Sequence, residues 1–171
     1  MAVAYESVLL IGGNVGDPPA LLARAEALID ERIGRIVARS RDHWTEPWGF
    51  EDERLFLNRA LLLRTVLEPT ALLDGLLGIE RALGRVRDQA VRYAPRGIDI
   101  DILLIGESVI DLPQLQVPHP CMHQRAFALS PAADIAPNWK HPVLHRTVLQ
   151  LLNDLRHPVP ALGRDDGMRA C

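Results

Sequence analysis

The chain of 171 residues is predicted to be α+β, an antiparallel sheet with helices packed on it, and three observations predict it. Apolar or alternating runs at 7–12, 56–67 and 98–105 have the length and pattern of strands. Between them lie two segments whose apolar residues recur every three or four positions, the period of amphipathic helices. A composition of 48% hydrophobic and 24% charged residues supports one core in a chain too short for two full domains. Residues 1–171 therefore read as one domain, with 156–171 a polar C-terminal tail.

In order, Ser7 to Gly12 is a buried strand that ends in a Gly12-Gly13-Asn14 turn. Asp17-Pro18-Pro19 is a helix start, and Leu21, Leu22, Ala25, Leu28 and Ile29 give the helix from Ala20 to Ile33 its apolar stripe. Ile36 to Trp44 is a strand with imperfect alternation, broken by Glu46-Pro47-Trp48-Gly49 and an acidic loop. Phe56 to Leu67 is a second buried strand. Glu68-Pro69-Thr70 opens a helix that Gly84 stops. From Ile98 to Ile105 the alternation puts Ile98, Ile100 and Ile102 on one side and Asp99 and Asp101 on the other. The order is βαββαβ, a ferredoxin-like core with helices on one face and the opposite face expected free for a ligand. A proline-bearing loop follows, then a last helix from Arg146 to Leu155.

Composition excludes several functions. A net charge of -3 argues against nucleic-acid binding over the whole surface, and no apolar run has the roughly 18 residues of a membrane helix. Cys121 and Cys171 form no CxxC pair and no disulfide framework, so a cytoplasmic protein is expected. The only lysine, Lys140, sits in a loop-like context that suits neither a Schiff base nor a phosphate-binding loop of the GxxxxGK type.

The chemistry concentrates around Asp99 and Asp101. Two residues apart on a strand, their carboxylates share a face with backbones about 7 Å apart. A hard divalent cation relieves their repulsion, and Mg²⁺ takes one or two carboxylates plus phosphate oxygens. The alternative is the solvated face of an edge strand. Directly before them, residues 84–96 hold Arg85, Arg87, Arg92 and Arg96 against the single acid Asp88, so a polyphosphate could be gripped from both sides. His119 and His123 are four apart, but Pro118 and Pro120 argue against the helix that would make them a zinc pair. Trp48, Phe56 and Phe127 could form a stacking slot for a planar ring or belong to the core.

These segments together resemble the 6-hydroxymethyl-7,8-dihydropterin pyrophosphokinases of folate biosynthesis, from about Ala4 to Leu155. The most specific element is 93–102, Tyr-Ala-Pro-Arg-Gly-Ile-Asp-Ile-Asp-Ile, which looks like that family's signature. Thr45 to Gly49, Phe56-Leu57-Asn58, Gly84 to Arg87 and Val117-Pro118-His119 fall at the matching places, whereas Leu77 replaces a polar residue of some members.

The resemblance implies transfer of the β,γ-diphosphate of ATP to the pterin hydroxymethyl group, with release of AMP. It makes Asp99 and Asp101 ligands of two Mg²⁺ ions and, with Arg85, Arg92 and Arg96, the catalytic set. Thr45, Pro47, Trp48, Phe56, Asn58 and Phe127 would bind the pterin. Glu80, Arg87, Tyr93, Arg96, Ile102, His119 and Arg125 would bind ATP. The expected partners are these two small molecules, with no nucleic acid, no membrane and a monomeric chain. A nucleotide- or RNA-binding module and a Mg²⁺-dependent phosphohydrolase are the competing readings; the second leaves Asn58 and the aromatics without a role.

Overall fold

The computed structural model describes residues 3–47, 53–84 and 97–158. The main sheet is antiparallel. Its strands β1 (Tyr5–Gly13), β2 (Arg35–Arg39), β4 (Phe56–Thr65) and β5 (Asp99–Ile105) lie in the order β2-β4-β1-β5, and the short β3 (His43–Thr45) also pairs with β4. Helices α1 (Pro18–Arg32) and α2 (Pro69–Ala82) occupy the βαββαβ positions that periodicity assigned to them. Asp17 caps α1, its carboxylate accepting from the Ala20 N–H at 3.1 Å, with Pro18 and Pro19 in the first turn. Beyond β5 come a hairpin of β6 (Ile110–Asp111) and β7 (Gln116–Val117), a 3-10 turn at Met122–Gln124, α3 (Ala126–Ile135) and α4 (Val148–Arg156).

The sheet is buried on both faces. Leu9, Ile11, Leu61, Leu63, Ile100 and Ile102 pack on one side beneath Leu22, Ala25 and Ile29 of α1 and Leu72, Leu76 and Ile79 of α2. Val8, Leu10, Ala60 and Leu104 pack on the other against Ala128, Leu129 and Ala132 of α3 and Val148, Leu151 and Leu152 of α4. Central strand β1 therefore reads as an unbroken apolar run, because both of its alternating sets are inside. Each fully buried leucine or isoleucine there contributes about 1.5–3 kcal/mol of transfer free energy.

Several expectations are corrected. The second sheet face is not free: α3 and α4 cover most of it. α3 lies where the sequence suggested no helix, and its Pro131 is buried within it. The strand expected at 36–44 divides into β2 and β3. At Ser40 the backbone N–H donates to the carbonyl of Ala60 while Oγ accepts from the Ala60 N–H, which takes the chain off β2. Gly12 and Gly13 lie inside β1, not in a turn after it. Cys121 is disulfide-bonded, where no disulfide was expected, and the other cysteine of the sequence, Cys171, lies outside the described residues.

Candidate active site

Strand register builds the site. His43 on β3 stands opposite Asn58 on β4, Asn58 opposite Gly12 on β1, and Gly12 opposite Asp99 on β5. Directly opposed residues share a face, so this row of four crosses the sheet on the α3 side, beyond the end of the covered core. The neighbouring rows add Asp101, opposite Leu10, and the Thr45–Phe56 pair. The alternation that put Asp99 and Asp101 on one face is thus confirmed, and the register brings Asn58, Phe56 and Thr45 to that same face.

Asn58 is 5% exposed, and its Nδ2 donates to Thr45 Oγ1 at 3.1 Å. The amide is thereby oriented across the sheet, above Gly12. Phe56, Thr45, Pro47, Asp99 and Asp101 are each half-buried at the rim.

Glu80 reaches β5 from the opposite layer. Only 2% exposed on α2, it accepts the N–H of Ile100 at 2.8 Å, between the two aspartates. β5 lies at the end of the strand order, so its outer edge needs such partners. The His119 N–H supplies another, donating to the Leu103 carbonyl at 2.9 Å. Glu80, expected on the nucleotide, also braces the strand that carries the carboxylates.

His119 follows the cis Val117–Pro118 bond at the end of the β6–β7 hairpin. Its Nδ1 accepts the Cys121 N–H at 3.2 Å, which leaves the neutral ring its proton on Nε2. Burial, with the Arg125 guanidinium acting in the same direction and Asp99 against it, lowers its pKa to about 4. At neutral pH His119 is therefore an uncharged ring with Nε2–H as its donor. Arg125 opens α3 and stacks on Phe127, 5.7 Å from its ring centroid, so the expected nucleotide arginine and the expected pterin aromatic stand together.

A cleft of about 690 Å³ opens beside β5, between α2 and the β6–β7 hairpin. Leu73, Leu77, Ile100 and Ile102 wall it, and Asp101 and His119 stand where it meets the carboxylates. Its apolar wall and polar end suit a nucleoside polyphosphate. Among the described residues no group of three or more His, Cys, Asp or Glu could hold a metal ion. Two carboxylates on one strand face are nonetheless the donor set that Mg²⁺ uses when phosphate oxygens and water complete its shell, so these residues fit the expected metal. Trp48, Arg85, Arg87, Arg92, Tyr93 and Arg96 lie outside the described residues.

Sequence reasoning missed Gly12 and His43. Gly12 was read as turn, although a glycine within an apolar run also signals a close backbone approach. His43 carried no local signal, because only the pairing of β3 with β4 places it in the row.

Comparisons with known proteins bear on the fold and the family. The 2-amino-4-hydroxy-6-hydroxymethyldihydropteridine pyrophosphokinase of Porphyromonas gingivalis is 44% identical over 146 residues, covering 83% of this chain and 95% of that protein. The protein of the same name from Methylorubrum extorquens is 45% identical over 129 residues, 75% of this chain and 80% of that one. Among solved structures, the Plasmodium falciparum HPPK-DHPS crystallised with pteroate superposes with a TM-score of 0.72 at 16% identity, over 89% of this chain. That likeness shows the fold alone, and this chain spans only 44% of that one. Residues 8–137 match the family model of 7,8-dihydro-6-hydroxymethylpterin-pyrophosphokinase, and they carry the whole row from Gly12 to Asp99 together with His119 and Phe127. On that match and those identities, the chain belongs to the 7,8-dihydro-6-hydroxymethylpterin-pyrophosphokinase family.

Proposed function

We infer that the cross-strand row and the adjoining cleft are the two substrate sites of the pyrophosphokinase reaction, in which the diphosphate of ATP passes to hydroxymethyldihydropterin in folate biosynthesis. The observation that carries the reading is the placement of Asn58, Gly12 and Asp99 in one row. Two inter-strand steps of about 4.8 Å separate Asn58 from Asp99, the reach of a fused bicyclic ring with its one-carbon arm. A pterin laid along the row would hydrogen-bond Asn58 at its ring and present its hydroxyl beside Asp99 and Asp101. Thr45 and Pro47 would read the ring edge, with Trp48 assigned there by the family pattern, and Phe56 and Phe127 would stack on its faces.

ATP would occupy the cleft, its base against Ile102 and its phosphates toward Asp101, His119 and Arg125. Arg85, Arg87, Arg92, Tyr93 and Arg96 are assigned to the nucleotide by the family pattern. In the reaction the hydroxyl oxygen bonds to the β-phosphorus, its proton is lost, and the bond from that phosphorus to the α,β-bridging oxygen breaks to leave AMP. No covalent help from the chain is required. His119 Nε2–H can donate to a phosphate oxygen without itself being charged, Glu80 keeps β5 straight, and Asn58 fixes the ring so that the hydroxyl lies in line. Two Mg²⁺ ions on Asp99 and Asp101, when bound, would neutralise the phosphate charge that builds in the transfer. The proposal extends to a monomer in the cytoplasm acting on small molecules alone, with neither nucleic acid nor membrane; among the described residues no helix is long and apolar enough to cross a membrane.

The test is AMP formation from ATP, with and without 6-hydroxymethyl-7,8-dihydropterin, and with a chelator control. AMP and pterin diphosphate are expected only when pterin and Mg²⁺ are both present, and Asp101→Ala should abolish them. ADP and phosphate formed without pterin would replace this reading by a hydrolase. A folded protein that binds nucleotide and turns nothing over would replace it by a binding module.

A further inference from the structure

Asp134 lies outside the row, near the end of the helix whose first turn carries Phe127. At 1.5 Å per residue the two are about 10 Å apart along the axis of α3. Its carboxylate gathers the β2–β3 corner. Arg41 donates to it from the backbone N–H at 3.2 Å, from Nε at 3.2 Å and from Nη2 at 3.0 Å. His43 Nε2 stands 2.8 Å from Oδ2. Chiefly through the Arg41 bonds, the carboxyl pKa falls to about 2, so it is ionised in any neutral assay. His43 is opposite Asn58, and two residues later Thr45 accepts the Asn58 amide. One carboxylate therefore joins the strand that orients Asn58 to the helix that carries Phe127.

We propose that Asp134 is a positioning residue for the pterin: by clamping His43 and Arg41 to the end of α3, it sets the gap between the Thr45–Asn58 floor and the Phe127 wall. The inference rests on the reading that this row holds the pterin. A planar ring stacked in a slot loses much of its dispersion energy when a wall recedes by 0.5–1 Å, so the clamp acts on ring binding and leaves the nucleotide cleft across β5 untouched.

Steady-state kinetics with each substrate varied in turn, on Asp134→Ala, Asp134→Asn, His43→Gln and His43→Phe, test it. Asp134→Ala should raise the pterin KM about tenfold, while the ATP KM and the saturated kcat change less than about twofold. His43→Gln keeps a donor near the Nε2 position and should retain most pterin affinity, whereas His43→Phe should lose it. Arg146→Ala removes a comparable surface pair, Arg146–Asp154 on α4, and should leave both KM values alone. A lowered Tm in Asp134→Ala with an unchanged pterin KM would overturn the proposal, as would equal rises in both KM values. If Asp134→Ala does not fold, Asp134→Asn and the His43 pair decide it by the same split. Failure of the underlying reading is distinguishable, because the wild-type protein would then form no pterin diphosphate.

Discussion

The Asn58 carboxamide fills the space that a side chain on Gly12 would need: a Cβ built there stands 2.7 Å from Asn58 Oδ1 and 2.9 Å from the Leu57 carbonyl oxygen. Real Cβ atoms do not approach so closely, and the Leu57 carbonyl belongs to the β1–β4 ladder and cannot give way. Gly12→Ala should therefore push the amide off Thr45. A lost and misdirected hydrogen bond of about 1–2 kcal/mol corresponds to a pterin KM raised roughly 5- to 30-fold. Kinetics at saturating ATP would show it, with a smaller effect on the ATP KM.

Glu80 supports a different expectation. Glu80→Leu leaves the buried Ile100 N–H without its acceptor, at a cost of about 1–3 kcal/mol. Because that N–H lies between Asp99 and Asp101, kcat should fall along with the Tm. Glu80→Gln keeps a carbonyl oxygen at the same place and should recover most of both. Thermal melts and turnover on the two variants separate a strand brace, which the amide can replace, from a role needing negative charge, which it cannot.

Acid should destabilise the fold in two windows. His119 and His141 both have pKa values lowered to about 4 by burial first of all, against an ordinary 6.5. Between those values the unfolded chain binds protons that the folded chain refuses, so stability falls as pH drops from about 6.5 to 4 and this contribution is then exhausted. Each group adds a slope approaching 1.4 kcal/mol per pH unit within that window. Asp134 acts lower, its stabilisation present above pH 3.8 and lost as pH falls through about 2. The His141 Nδ1 accepts the N–H groups of Val143 and Leu144; an asparagine oxygen can take its place. Urea midpoints at pH 7, 5 and 4 should therefore fall less steeply in His141→Asn than in the wild type.

The second layer of the sheet has its own test. Thr147 and Gln150 form a reciprocal capping box at the start of α4, with bonds of 2.9 and 3.1 Å. Thr147→Ala should cost about 0.5–2 kcal/mol of stability. It touches neither substrate site, so KM and kcat should be unchanged at temperatures below the transition.

The elements with a clear period were legible in the sequence: the stripe of α1, the leucines of α2 and the isoleucine-aspartate alternation of β5. What was not legible depended on partners distant in the chain. The segment of α3 showed no helical period that the sequence reading could use, and it is burial of Ala128, Leu129 and Ala132 against β1 and β4 that holds it as a helix, Pro131 included. The broken alternation of 36–44 was the trace of a real break at Ser40, whose cause is Ala60. For the site, spacing alone placed Asp99 and Asp101 on one face and the scarcity of aromatics marked Phe56, while Asn58 and Thr45 came from the family pattern. The bonds that orient them, Glu80 to Ile100 and Asp134 to His43, join residues 20 and 91 positions apart. No local pattern encodes such pairs.

The outer edge of β5 has a consequence for assembly. A bare terminal strand is a template on which a second chain can add by backbone pairing, and sheet proteins aggregate by that route. Here the side chain of Glu80 and the backbone of His119 occupy hydrogen-bonding positions along that margin. The contacts that hold the carboxylates in line therefore also deny the strand to a neighbouring molecule, so a variant that loosens them should lose colloidal solubility together with turnover.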